Sequence, residues 1–163
     1  MVAILALACE PPPTEELLAI TFGAGAKAPP VELDVDCEDG GCMGLVELEV
    51  QLTFETHEYS TIEAMVKIVQ YRVDYHVGAP YDDLEVPYFS GNTSVALAIG
   101  DTTSFNIVVA GDTQREFLRP RIGERQAEGR ATLTLAGYDH NDELVMPAAD
   151  FDIFFDDYFS GVY

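Results

Sequence analysis

The chain has 163 residues, 48% of them hydrophobic, which is enough to close one core and predicts one domain. Acidic residues outnumber basic ones 29 to 8, for a formal charge of -21 at pH 7, and such a surface repels phosphate backbones, so nucleic-acid partners are excluded. No apolar run approaches the roughly 20 residues of a membrane-spanning helix; the acidity suits cation association, although a high-salt setting produces the same bias without any binding site.

The first segment is a run of small and aliphatic residues, Val2 to Ala8, ending at Cys9 and followed at once by Glu10-Pro11-Pro12-Pro13. This pattern resembles the end of a bacterial lipoprotein signal, in which a small residue such as Ala8 permits cleavage beside a thiol that then takes lipid. The resemblance implies export, lipidation of Cys9 and a membrane partner reached through the anchor, at the outer membrane or cell surface. A single acyl chain holds only marginally, so the anchor implied is multiply acylated. A mature N-terminal strand with a buried thiol is the alternative reading.

Residues 1–9 are thus read as a partial signal. Residues 10–30, with Pro11, Pro12, Pro13, Pro29, Pro30, Gly23 and Gly25, are read as a Pro/Ala/Gly-rich tether with one short turn at Thr14 to Leu18. The body is then 31–163. At its start, Cys37 and Cys42 flank Glu38-Asp39-Gly40-Gly41, a spacing that reads as a disulfide across a tight turn and is consistent with export. A ring this short contributes roughly 2 kcal/mol. Zinc is the weaker alternative, because it needs about four ligands and no second cysteine pair or close histidine pair is present.

From Val31 the pattern turns to period two. After a first segment at Val31 to Asp36, Val46, Leu48, Val50, Leu52 and Phe54 alternate with Glu47, Glu49, Gln51 and Thr53, one apolar and one polar face of a strand. A short helix is expected at Thr61 to Val66. Val69, Tyr71, Val73 and Tyr75 alternate with Gln70, Arg72, Asp74 and His76, while Val66 and Ile68 fall on the opposite phase, which predicts a bulge. Val95, Leu97 and Ile99, then Phe105, Ile107 and Val109, form two more strands, with Gly100-Asp101-Thr102 and Gly111-Asp112-Thr113 read as turns. Arg115, Arg119, Arg121, Arg125 and Arg130 fall in a stretch around Pro120 where interspersed acids predict a long solvated loop with internal ion pairs. The alternative is a docking surface for an acidic partner. Ala131, Leu133 and Leu135, then Leu144 to Met146, then Phe151, Ile153 and Phe155 complete about eight extended segments.

Many short strands with one apolar face need a second sheet to cover that face. The stretch Val69 to Tyr75, then Ala131-Thr132-Leu133-Thr134-Leu135-Ala136-Gly137-Tyr138-Asp139 and Glu143-Leu144-Val145, is similar to immunoglobulin-like modules of exported bacterial lipoproteins, over roughly residues 31–158. The resemblance implies an all-β, immunoglobulin-like antiparallel β-sandwich of about seven to eight strands in an envelope setting. With no tryptophan and with its cysteines too close in sequence, the chain departs from antibody-type domains.

Two clusters carry candidate chemistry. Asp139, Asn141, Asp142 and Glu143 with His140 form the densest set of oxygen ligands, a candidate calcium site to which Asp150, Asp152 and Asp156 would add; a hairpin turned by Asn141-Asp142 is the competing reading. Phe154, Tyr158, Phe159 and Tyr163 place aromatic bulk near the end of the chain, as a candidate partner surface. No Gly-x-Ser-x-Gly elbow, His-Glu-x-x-His helix or phosphate-binding glycine loop occurs. The expectation is a non-catalytic envelope lipoprotein that binds or supports and requires no cofactor. The alternatives are a self-associating subunit of an extracellular assembly joined by strand exchange, and a calcium-dependent adhesive or carbohydrate-binding domain.

Overall fold

The computed structural model describes residues 13–22, 31–34, 45–56, 64–122 and 126–156. Among these, strands form at β1 (Leu18–Phe22), β2 (Val31–Asp34), β3 (Val46–Phe54), β4 (Met65–Val77), β5 (Phe89–Ala98), β6 (Thr102–Ala110), β7 (Ala127–Asp139), β8 (Leu144–Val145) and β9 (Ala148–Asp156), with one helix, α1 (Asp112–Ile122). One sheet has the order β1-β3-β6. The other has the order β2-β9-β7-β4-β5, with β8 added to the end of β7. All pairs are antiparallel except β2, which runs parallel to β9. The protein is an all-β sandwich of two mainly antiparallel sheets.

Alternation explains the layers. In β3, Leu48, Val50, Leu52 and Phe54 are buried while Glu47 and Glu49 are exposed. In β4 the phase switches: Val66 and Ile68 point inward, then Tyr71, Val73, Tyr75 and Val77. The pairing shows why, because Ile68 faces Gly137 and Gln70 faces Ala136, leaving Val69 as the extra residue of a bulge. Two tyrosines of β4 cross the core to the other sheet. The Tyr75 hydroxyl donates to the Val109 carbonyl, and the Tyr71 hydroxyl accepts the Val108 amide at 3.2 Å. Burial pushes the phenols of both above the ordinary value.

Three expectations are corrected. Part of the segment read as a tether is body: a 3-10 turn at Thr14–Leu17 leads into β1, whose Leu18 and Phe22 are core residues. The alternation of Leu18, Ile20 and Phe22 is only five residues long, and neighbouring prolines and glycines hide it. The helix expected at Thr61 to Val66 is not formed over its last three residues, for Ala64 is irregular, Met65 and Val66 begin β4, and Val66 pairs with Asp139 and Leu97; residues 61–63 lie outside the described residues.

The third correction is α1, where a loop was expected. Gln114, Leu118 and Ile122, spaced by four, bury one stripe. Asp112 stands in the first turn and Arg119 and Arg121 in the last, each favourable toward the helix dipole. Gln114 is 2% exposed, and its Oε1 accepts the Gly111 amide at 3.0 Å, the back-bonding half of a capping box. Its Nε2 donates to the carbonyls of Pro87 at 3.0 Å and Tyr88 at 3.2 Å. The helix is thereby fastened to the loop that enters β5. Pro120 sits in the last turn, where its missing N–H frees the carbonyl of Glu116, an exposed residue.

Candidate functional site

The outward residues of the six-stranded sheet form rows across the strands. Ser90 of β5, Arg72 of β4 and Thr134 of β7 stand level, and the next row is Asn92, Gln70 and Ala136. Of these, Ser90, Arg72, Thr134, Gln70 and Ala136, with Asp74, Tyr88 and Met146, line an open groove of about 450 Å³. Arg72 and Asp74 are two apart on one strand and so share its face. The Arg72 Nε lies 2.9 and 2.8 Å from the two Asp74 carboxylate oxygens, and its Nη2 lies 2.5 Å from Oδ1. The guanidinium also stacks over the Tyr88 ring, Cζ 4.2 Å from the centroid. Tyr88 is 55% exposed. The charges of Arg72 and Asp74 cancel, so this groove offers hydrogen-bonding groups and an aromatic surface without net charge on a strongly acidic protein. The alternating polar residues of β4 were legible in the sequence as the outer face; that Tyr88, Ser90 and Thr134 stand beside them was not, because it depends on strand register.

The acidic turn is differently employed. Asp139 is 7% exposed; its Oδ1 accepts the amides of Asn141 at 2.8 Å and Glu143 at 3.0 Å, and its Oδ2 accepts the Thr14 hydroxyl at 3.1 Å. Asp142 takes a positive φ of 62°, and the backbone amide of Asp139 bonds the Glu143 carbonyl at 3.0 Å. The carboxylate of Asp139 therefore closes the turn between β7 and β8 and ties the N-terminal 3-10 turn to it. Asn141, Asp142 and Glu143 are exposed. Among the described residues no three His, Cys, Asp or Glu side chains are grouped to hold a metal. Asp150 accepts the Thr132 hydroxyl at 2.8 Å and faces Arg130 at 3.9 Å, and Asp152 is exposed.

Burial opposes ionisation of Asp139, but the amides of Glu143 and Asn141, the Thr14 hydroxyl and nearby His140 outweigh it and hold the carboxyl below its ordinary range. Folding lowers this pKa, so the stabilisation is complete above the unfolded value, about 3.9, and is lost as pH falls through the lower folded value. Replacing Asp139 by Ala is expected to cost about 1–2 kcal/mol at pH 7. In urea denaturation series, the gap from the parent protein should narrow below about pH 4.

Phe154 is half-buried on β9, outward of the core; Tyr158, Phe159 and Tyr163 lie outside the described residues, as do Cys9, Cys37 and Cys42. The arginines are distributed along α1 and β7. Arg115 pairs with Asp112 at 3.3 Å, and Arg121 stacks over Phe117 at 3.8 Å. Arg125 is outside the described residues.

No protein-family model matches the chain, and no curated protein does. Among solved structures it is similar to a protein from Archaeoglobus fulgidus, with 10% identity over 82% of this chain and 93% of that one and a TM-score of 0.42. No helix among the described residues is long and apolar enough to cross a membrane.

Proposed function

We propose that the protein is a non-catalytic binding module, carried outside the cytosol on a lipid attached at Cys9, whose ligand lies along the outer face of the six-stranded sheet. The observation that carries this reading is the groove built on Arg72, Asp74 and Tyr88. Planar side chains with paired donors and acceptors beside an exposed aromatic ring suit a ligand rich in hydroxyl groups, and the cancelled charge suits a neutral one. A short neutral saccharide has both properties. The -21 charge of the whole chain disfavours anionic ligands in the same place.

Calorimetric titration of the soluble body with neutral and anionic oligosaccharides tests the ligand. Neutral sugars should bind, and Arg72→Ala and Tyr88→Ala should each weaken binding about 10- to 100-fold while leaving the thermal midpoint near that of the parent. Absence of binding at millimolar neutral saccharide overturns the reading. Acyl labelling in a bacterial host tests the anchor separately: label should enter the protein and vanish in Cys9→Ala.

A further inference from the structure

From Val86 to Gly111 the chain carries a single charged residue, Asp101, although 23% of all its residues are charged. This stretch folds into β5 and β6, which are the terminal strands of the two sheets on one side of the sandwich, joined at Gly100-Asp101. Sheet edges are usually guarded by charge, proline, bulges or short length, because their unpaired backbone groups recruit further strands. β5 has a guard: Ile68 faces Val95 and Gln70 faces Asn92, so Thr93 and Ser94 stand against Val69 alone and the strand is bulged. β6 has none over most of its length. From Thr102 to Ile107 it holds an unbroken register against Thr53 to Leu48, contains neither charge nor proline, and is paired on its other side with no strand among the described residues. Phe105, which points toward the core from this edge, is only partly buried. Beyond Ile107 the edge is occupied, since Tyr71 and Tyr75 take the Val108 amide and the Val109 carbonyl.

We infer that Thr102 to Ile107 is a pairing edge for the same strand of a second copy, antiparallel about a two-fold axis. The occupant follows from charge. Two chains of -21 repel over most of their surfaces, and the uncharged side formed by β5 and β6 is where two copies approach with the least of that penalty. With the two-fold axis at Ser104, that residue meets its own copy and Thr102 meets the mate's Asn106, and such hydroxyl and amide pairs across strands are favourable. Thr53 and Thr102 already form one within the chain, Oγ1 to Oγ1 at 3.0 Å. The joined sheet continues β1-β3-β6 into its mate and covers Phe105. Because like net charges are screened by salt, association strengthens with ionic strength.

Sedimentation equilibrium of the full soluble body at low and at roughly 0.5 M NaCl tests this, beside the variant Ser104→Asp/Asn106→Asp. Both positions are exposed, so the variant keeps its fold, and an unchanged circular dichroism spectrum checks that it does. The parent should form dimers whose dissociation constant falls at least tenfold at the higher salt; the variant should remain monomeric, and amides of 102–107 should gain protection from hydrogen exchange in the parent only as concentration rises. A parent that stays monomeric at millimolar concentration in high salt overturns the inference, and so does a dimer that the double substitution leaves intact.

Discussion

Replacing Gln114 by Leu should lower the stability of the protein by about 3 kcal/mol, seen as a fall in thermal midpoint of roughly 6–12 °C. Leucine fits the apolar stripe of α1 and keeps its volume, so the loss would come from polar groups left behind. The Gly111 amide would lose its partner at the start of the helix, and the part-buried carbonyls of Pro87 and Tyr88 would lose theirs. Gln114→Glu separates these contributions. Its carboxylate still accepts from Gly111 but faces two carbonyl oxygens, so burial raises its pKa above the unfolded value of about 4.3. The penalty would then be full above the raised folded value and shrink as pH falls toward the unfolded one. Denaturation midpoints of this variant measured from neutral to mildly acidic pH should converge on the parent. Equal deficits at every pH would show that the amide bonds contribute little.

Gly137→Ala should cost a comparable amount, about 3 kcal/mol. Where Val69 bulges, β4 leans against β7, and a Cβ on Gly137 would stand 2.8 Å from the Ile68 Cα and 2.9 Å from the Lys67 carbonyl carbon. These are backbone atoms at the centre of the larger sheet, so no side chain can swing aside to admit the methyl group. Urea titration should show a lower midpoint with an unchanged slope. A midpoint equal to the parent's would mean that the bulge moves freely, and that the phase switch between Ile68 and Tyr71 is weakly held.

The bulge is also where the sequence was most informative. The opposed phases of Val66 and Ile68 against Tyr71 and Val73 pointed to it, because burial on one face fixes the period of a strand and an extra residue must break it. β3 was legible for the same reason. α1 was missed because its buried stripe contains a glutamine: Gln114, Leu118 and Ile122 carry little apolar signal among three arginines and a proline. The signals that would have found it are Asp112 in the first turn, Gln114 three residues beyond Gly111 and basic residues in the last turn. The groove was half legible, since the polar phase of β4 marked an outer face but not what lies across from it. Asp139 was legible as a turn residue through the adjoining Asn141-Asp142; its bond to Thr14 spans 125 residues of sequence and could not be foreseen.

Under the proposed anchoring, that bond would set the posture of the molecule at a surface. With the anchor proposed at Cys9, only four residue steps lead to Pro13, a leash of at most about 14 Å. The 3-10 turn that follows is fixed beside the β7–β8 hairpin, so this pole of the sandwich would sit close against the lipid headgroups. The opposite pole, where α1 grips the approach to β5, would face outward, and the rows built on Arg72 would stand upright along the flank, within reach of whatever passes.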